Sequence, residues 1–245
     1  MQMGYDVKLC DCNKSDLGLD INHLEKICKR YKPSLLILVH VLGHANDMKS
    51  IMEICSKYKI KIIEDTCEAL GSTYKGKNLG TLGIASSFSF YYGHHISTIE
   101  GGMVCTNNNS LANIMNSVRS HGWLRDFSSK EKNKIIKKNK ISEFQSKFSF
   151  IYSGFNIRST EINAYLGINQ LKKINQISKI RQKNYNIYKK YLKKFHYQNC
   201  KSEKLSNFGF ATLVKNRDDV FKHLSKNSIE CRPIIAGNIS NQPFW

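Results

Sequence analysis

The chain has no CxxC pair, no apolar run of membrane-spanning length, no internal repeat and few acids. Each absence narrows what the protein can do. Its eight cysteines stand at 10, 12, 28, 55, 67, 105, 200 and 231, and only Cys10 and Cys12 lie close together. Zinc and disulfide frameworks need tighter organisation than this. Scattered thiols suit a reducing compartment, where they serve as small buried hydrophobes. The longest apolar run, Leu35 to Leu42, is strand-sized and interrupted by His40, which excludes a membrane-spanning helix. Met1 to Tyr5 lack the basic and apolar regions of a secretion signal. A cytoplasmic protein with no membrane partner is expected.

Only 19 acids oppose 38 lysines and arginines, leaving a net charge of +19. A surface of that sign attracts nucleic acid, anionic lipid or a diphosphate-bearing substrate. The densest run, Lys130 to Lys140, has no interleaved aromatic ring on which bases could stack. It reads as a solvated surface insertion, and no nucleic-acid partner is expected.

What is present is an alternation of strands and helices, the mark of a mostly parallel sheet with helices on both faces. Asp6 to Asp11, Ser34 to Val41, Lys61 to Asp65, Ser86 to Tyr91 and Gly102 to Thr106 read as strands, the second of them buried. Asp20 to Tyr31, Asp47 to Tyr58 and Asn109 to His121 read as helices, and Ser72 to Lys77 as a small hairpin around Gly76. Residues 124–153 form a polar insertion with weak helix. One long helix should run from Ser159-Thr160-Glu161 towards Tyr191. Phe208 to Val214, Asp218 to Lys226 and Ile229 to Arg232 suggest strand, helix and strand. The organisation expected is therefore a partial large domain over 1–157, a connecting helix over 158–195 and a partial small α+β domain over 196–245, with both ends cut from a larger fold.

Several residues have the right chemistry in the right order. Glu64 and Asp65 end a strand of a parallel sheet, and such strand ends face the ligand crevice. A carboxylate there can pair with a protonated ring nitrogen, although capping a loop is its commoner employment. Glu68, three residues on, can accept a hydrogen bond from a cofactor or sugar hydroxyl or stand as a surface acid beside Lys75 or Lys77. Ser89 can donate to a phosphate oxygen. His94 titrates near ~6.5 when unperturbed and so can carry protons at neutral pH. Neighbouring His94 and His95 point different ways on an extended chain, which makes a shared metal the poorer reading; no metal is expected. Glu100-Gly101-Gly102 suits close backbone approach to a ligand or a plain turn. Asn156, ahead of the long helix, can help bind an anion or belong to an N-cap region. Arg232 can fork onto a phosphate or sugar oxygen.

The order of these pieces is more specific than any one of them. Gly43 to Met48, Glu64 to Gly71, Gly80 to Gly83, Ser89 to Gly102, His121-Gly122-Trp123 and Gly154 to Arg158 closely resemble the DegT/DnrJ/StrS family over nearly the whole chain. The resemblance implies an α/β, fold-type I pyridoxal phosphate (PLP) architecture, a homodimer and a nucleotide-linked 4-keto sugar as substrate. It also implies roles. Asp65 would pair with the pyridine nitrogen, and Glu68 stands where most members have glutamine near the ring hydroxyl. Ser89 would bind phosphate, and Asn156 would reach the neighbouring subunit's cofactor. His95, Arg232 and Asn238 would approach the sugar nucleotide. The family's phosphate-cradling helix start and its stacking aromatic have no counterpart before Asp65.

His94 occupies the position of the lysine that bonds covalently to PLP in the aminotransferases. That substitution is similar to the sugar 3-dehydratase branch. There the cofactor works as pyridoxamine phosphate (PMP), the histidine moves protons and assists loss of the C3 hydroxyl, and a 3-deoxy-4-keto sugar and ammonia result. A related CDP-sugar dehydratase carries an iron–sulfur cluster on later cysteines, but Val118 to Gly154 contains none, so no cluster is expected. The alternatives are an aminotransferase with a displaced lysine, Lys75 or Lys77, and an inactive remnant or partner of a full-length homologue.

Overall fold

The computed structural model describes residues 3–195, 197–235 and 237–245. Asp20 opens α1 (Ile21–Tyr31) by accepting the His23 amide, and Lys32, left-handed at φ 47°, closes it. Strand β1 (Leu35–Val39) follows. Asp47 caps α2 (Met48–Lys57), accepting the Ser50 amide. After β2 (Lys61–Asp65) comes a small antiparallel hairpin of β3 (Thr73–Tyr74) and β4 (Lys77–Asn78), then β5 (Ala85–Ser89) and β6 (Gly102–Cys105). Helices α3 (Asn109–Val118), α4 (Ser129–Asn139), α5 (Glu143–Ser146), α6 (Glu161–Leu171), α7 (Ile174–Tyr191) and α8 (Arg217–Lys226) complete the order. No helix among the described residues is long and apolar enough to cross a membrane.

The main sheet runs β1-β2-β5-β6, with β1, β2 and β5 parallel and β6 antiparallel. Its two faces differ. Side chains alternate along a strand, so Leu38 and Ile62 pack with Leu24 and Cys28 of α1 and Met48, Ile51 and Cys55 of α2 in the main core. The opposite face presents Leu35, Ile37 and Val39 of β1 and Val104 of β6, all exposed, with Ile37 65% accessible.

Three expected strands fail for one physical reason, that a strand needs partners, and two further expectations are corrected. Asp6 to Asp11 form no strand; the nearest pairing is one bridge between Cys12 and Leu19. Ser34 to Val41 yield β1, which lies at the sheet edge with three of its five residues exposed rather than buried. Phe208 to Val214 and Ile229 to Arg232 form no strands, so among the described residues the carboxyl-terminal part contains α8 and turns without a β layer. The single long helix is also two, α6 and α7, which meet at Lys172 and Lys173.

One buried hub ties the front of the sheet together. Glu64 and His40 are both fully buried, 3.1 Å apart. The amide Nδ2 of Asn46 donates to Val39 O and to His40 Nδ1, which leaves the imidazole proton on Nε2, aimed at Glu64. The carboxylate also accepts from the amides of Gly80, Leu82 and Gly83 at 2.6–2.8 Å. Such close approach requires a bare backbone: a Cβ on Gly83 would lie 2.5 Å from Ile62 O.

The stretch after α7 is stitched to the same region. Gln198 Nε2 donates to Asp16 O and Val41 O, the Ser206 amide to Ser72 Oγ and the Phe208 amide to Leu42 O. These single bonds run along the stretch without the ladder that would make it a strand.

Burial by itself raises the Glu64 carboxyl, but the bonds from His40, Gly80 and Gly83 outweigh it and hold the group below the usual carboxylate range. Glu64→Gln leaves donors facing donors and is expected to cost about 3 kcal/mol, the scale of a broken buried pair, read from the urea midpoint. Burial pushes both His44 and His95 down to about 4. An unfolded histidine titrates near ~6.5, so below that pH the unfolded chain binds protons that the folded chain refuses. Stability is expected to be full above about pH 6.5 and to fall towards pH 4, with the Glu64 contribution lost below its unfolded value of about 4.3. Urea midpoints measured at pH 7, 6 and 5 check this; His95→Gln should flatten the slope.

Candidate active site

The site forms where β2 and β5 end. Asp65 follows Glu64 by one residue and therefore points to the opposite, open face. Its Oδ1 accepts from the Cys67 amide at 3.1 Å and from Ser87 Oγ at 3.4 Å, and Asp65 lies in register with Ser87 across the strands. Both bonds fall on one oxygen, Oδ1. Ser89, two residues beyond Ser87, shares that face, and its Oγ accepts the Tyr91 amide at 3.3 Å.

His94 sits in the turn after β5, its amide bonded to Tyr91 O. Nδ1 lies 2.8 Å from Cys67 O. A carbonyl only accepts, so in the neutral ring Nδ1 carries the proton and Nε2 the lone pair. The ring is set edge-on to Phe208 at 5.1 Å and to Tyr91 at 5.9 Å. An imidazole fixed in one tautomer with one free basic nitrogen is prepared to take and return a proton.

Glu68 closes the side of the site nearest the Val41–Gly43 turn. Its Oε2 accepts the Leu42 amide at 2.8 Å. Burial raises its carboxyl, an effect opposed by the Leu42 amide and by His94 and Arg232 and reinforced by Asp65. The turn itself is forced: Leu42 is left-handed at φ 54°, and a Cβ on Gly43 would lie 2.6 Å from Ser206 O. The Arg232 guanidinium stands over the Phe208 ring, 5.7 Å from its centre, so it reaches the same cluster from the far end of the chain.

Other candidate residues lie elsewhere. His95 is buried, with Nε2 bonded to Ser206 O at 2.7 Å; it anchors the 205–208 stretch and offers no exposed edge. Asn156 is exposed, bridges to Ser120 and accepts from Arg158, with no contact to the His94 cluster among the described residues. Asn238 caps the Ile239–Asn241 turn by accepting from Ser240; Ala236, between it and Arg232, lies outside the described residues. Lys75 packs over Tyr74 on the exposed hairpin, and no bond joins it or Lys77 to His94 among the described residues.

Sequence reasoning missed three contributors. Ser87 was findable, because alternation along a strand places it beside Ser89. The Cys67 carbonyl and the Phe208 ring carry no signal in the sequence. The Cys67 thiol, pushed up to about 12 by burial and by Asp65, is no nucleophile at neutral pH. No group of His, Cys, Asp or Glu among the described residues could hold a metal ion.

Comparison with known proteins gives this geometry a context. The GDP-4-keto-6-deoxy-D-mannose 3-dehydratase of Yersinia pseudotuberculosis is 36% identical over 244 residues, covering 97% of this chain and 61% of that protein. A crystal structure of GDP-4-keto-6-deoxymannose-3-dehydratase with bound GDP-perosamine superposes with a TM-score of 0.90 at 31% identity, covering 99% of this chain and 64% of that one. The Escherichia coli enzyme with bound hydrated PLP gives a TM-score of 0.86 at 30% identity, covering 98% and 62%. The chain thus spans about three-fifths of the length of these relatives. The model of the DegT/DnrJ/EryC1/StrS aminotransferase family matches residues 1–245, and the chain belongs to that family, with its fold-type I α/β architecture.

Proposed function

We propose that this chain binds PMP/PLP and serves the removal of the C3 hydroxyl from a nucleotide-linked 4-keto-6-deoxy sugar, with His94 as acid and base. One observation carries the reading: where an aminotransferase needs a lysine amine, this chain has an imidazole whose Nδ1 is held by Cys67 O and whose Nε2 has no hydrogen-bond partner among the described residues.

The residues present fit such a cofactor. Asp65 Oδ2 would hold a protonated ring nitrogen, Ser89 a phosphate and Glu68 the ring hydroxyl. When bound, the cofactor supplies an electron sink next to the sugar carbonyl. His94 Nε2 takes up a proton at the reacting centre and returns it to the departing hydroxyl, and Nδ1 stays bonded throughout. The two donors to Asp65, the Cys67 amide and Ser87 Oγ, sit on Oδ1 and orient the carboxyl. Arg232 faces the sugar nucleotide, and Asn238 follows on the same segment. Exposed Asn156 would serve the site of a second subunit, making the working form a homodimer. The net charge of +19 draws a diphosphate towards the site, and eight free cysteines fit a reducing cytoplasm.

Incubating the chain with PMP and GDP-4-keto-6-deoxymannose is expected to yield a 3-deoxy-4-keto sugar and ammonia; an amino sugar as product would overturn the reading. Borohydride treatment of the PLP-loaded chain should leave every lysine peptide at its native mass. His94→Gln is expected to lower the dehydration rate by about 10²–10⁴-fold, the range of general acid–base catalysis, with the absorbance of bound cofactor unchanged.

A further inference from the structure

Phe208 lies far from the site in sequence, yet its ring touches two of the site's functional groups. It meets His94 edge-on at 5.1 Å on one side and the Arg232 guanidinium at 5.7 Å on the other. The backbone of Phe208 is held at both ends although it lies outside any helix or strand. Its amide donates to Leu42 O at 2.9 Å. Its carbonyl and that of Asn207 accept from Arg181 Nη1 at 3.3 and 3.0 Å. The preceding Leu205, Ser206 and Asn207 are buried, with Ser206 gripped from both sides by Ser72 and His95.

The groups it touches are less firmly held. His94 stands in an irregular turn, where Tyr91, its other aromatic neighbour, is 38% exposed. Among the described residues, the polar restraint on its ring is the bond to Cys67 O. One hydrogen bond sets the tautomer only while the ring stays in plane with that carbonyl. Rotation about the bond to the ring would turn the proton away from Cys67 and bring carbon edges where nitrogens belong. An aromatic wall beside the imidazole blocks that rotation. Arg232 lies in a stretch without regular structure, and a ring face within 6 Å favours its charge there.

We propose that Phe208 is the positioning residue of this site: with its backbone pinned by Arg181 and Leu42, its ring holds His94 in the Nδ1-bonded orientation and seats Arg232 for the substrate. The consequence for activity rests on the dehydratase reading above; the consequence for the imidazole does not. The arrangement also gives Arg181 a function. Burial lowers its guanidinium pKa, and both of its Nη1 bonds go to the carbonyls of Asn207 and Phe208, which place the backbone that carries the ring.

The test is nitrogen NMR of the 245-residue chain labelled at histidine, with the His94 signals identified by their loss in His94→Gln. The native chain is expected to show one pyrrole-type and one pyridine-type nitrogen for His94, the protonated one being Nδ1. In Phe208→Leu, and in Phe208→Met, which keeps volume without a ring, the two signals should move towards each other as tautomers and ring orientations mix. Phe208→Tyr should restore the native pattern. At least one ringless variant must show native circular dichroism to be scored, and if neither folds, Arg181→Lys, which loosens the clamp and keeps the ring, is read in the same way. A folded ringless or Arg181→Lys variant that retains the native nitrogen pattern overturns the proposal, as does a native chain with mixed tautomers. Under the dehydratase assay, Phe208→Leu should lower kcat by about ten- to a hundredfold and raise KM through Arg232. Absence of dehydration by the native chain together with the expected nitrogen pattern would refute the proposed reaction and leave the positioning role standing.

Discussion

The Glu64 carboxylate is the constraint on which the rest of the described structure depends. It is an ionised group with no access to water, and it survives there because four donors converge on its two oxygens. Those donors come from two places, the end of β1 and the loop after β4, and Asn46, just before α2, holds His40 in turn. Satisfying one buried charge therefore ties three connections together. The cost of leaving such a charge unpaired is several kcal/mol, comparable to a large share of a domain's net stability. The hub cannot loosen by degrees.

The hub and the candidate site are adjacent in sequence and opposite in space. Alternation along β2 sends Glu64 into the core and Asp65 to the open face, so the carboxylate that stabilises and the carboxylate of the candidate site share a backbone while having different surroundings. The same rule puts Asp65, Ser87 and Ser89 side by side from two strands. Locking Glu64 locks the register of β2 against β1 and β5, and that register sets where Asp65 stands relative to His94. In this protein, stability and site geometry are two consequences of one strand's placement.

The open face also carries Leu35, Ile37 and Val39, whose exposure is at odds with the burial that a parallel sheet normally receives on both sides. The chain spans about three-fifths of the length of its relatives, and the bare face is the one that bears the site. Among the described residues, the structure provides the floor of the site, one wall from Glu68 and Leu42, and another from Phe208 and Arg232.

Local pattern was sufficient for α1, α2, β2 and the hairpin, because caps, apolar spacing and turn residues act over a few positions. It also pointed to Asp65, Glu68, Ser89 and His94, since their chemistry and order are visible in the sequence, and their likeness to a known family added roles to each. It overreached at Asp6 to Asp11, Phe208 to Val214 and Ile229 to Arg232, where strand-forming residues lack a neighbouring strand to bond. Residue order alone identifies the groups able to do chemistry and the short elements that carry them. Packing makes His95 an anchor, has Cys67 lend a carbonyl and withhold its thiol, and sets Phe208 against His94 across 114 residues. Those outcomes depend on which groups remain to satisfy each other's hydrogen bonds once the chain is packed, and no local pattern encodes that.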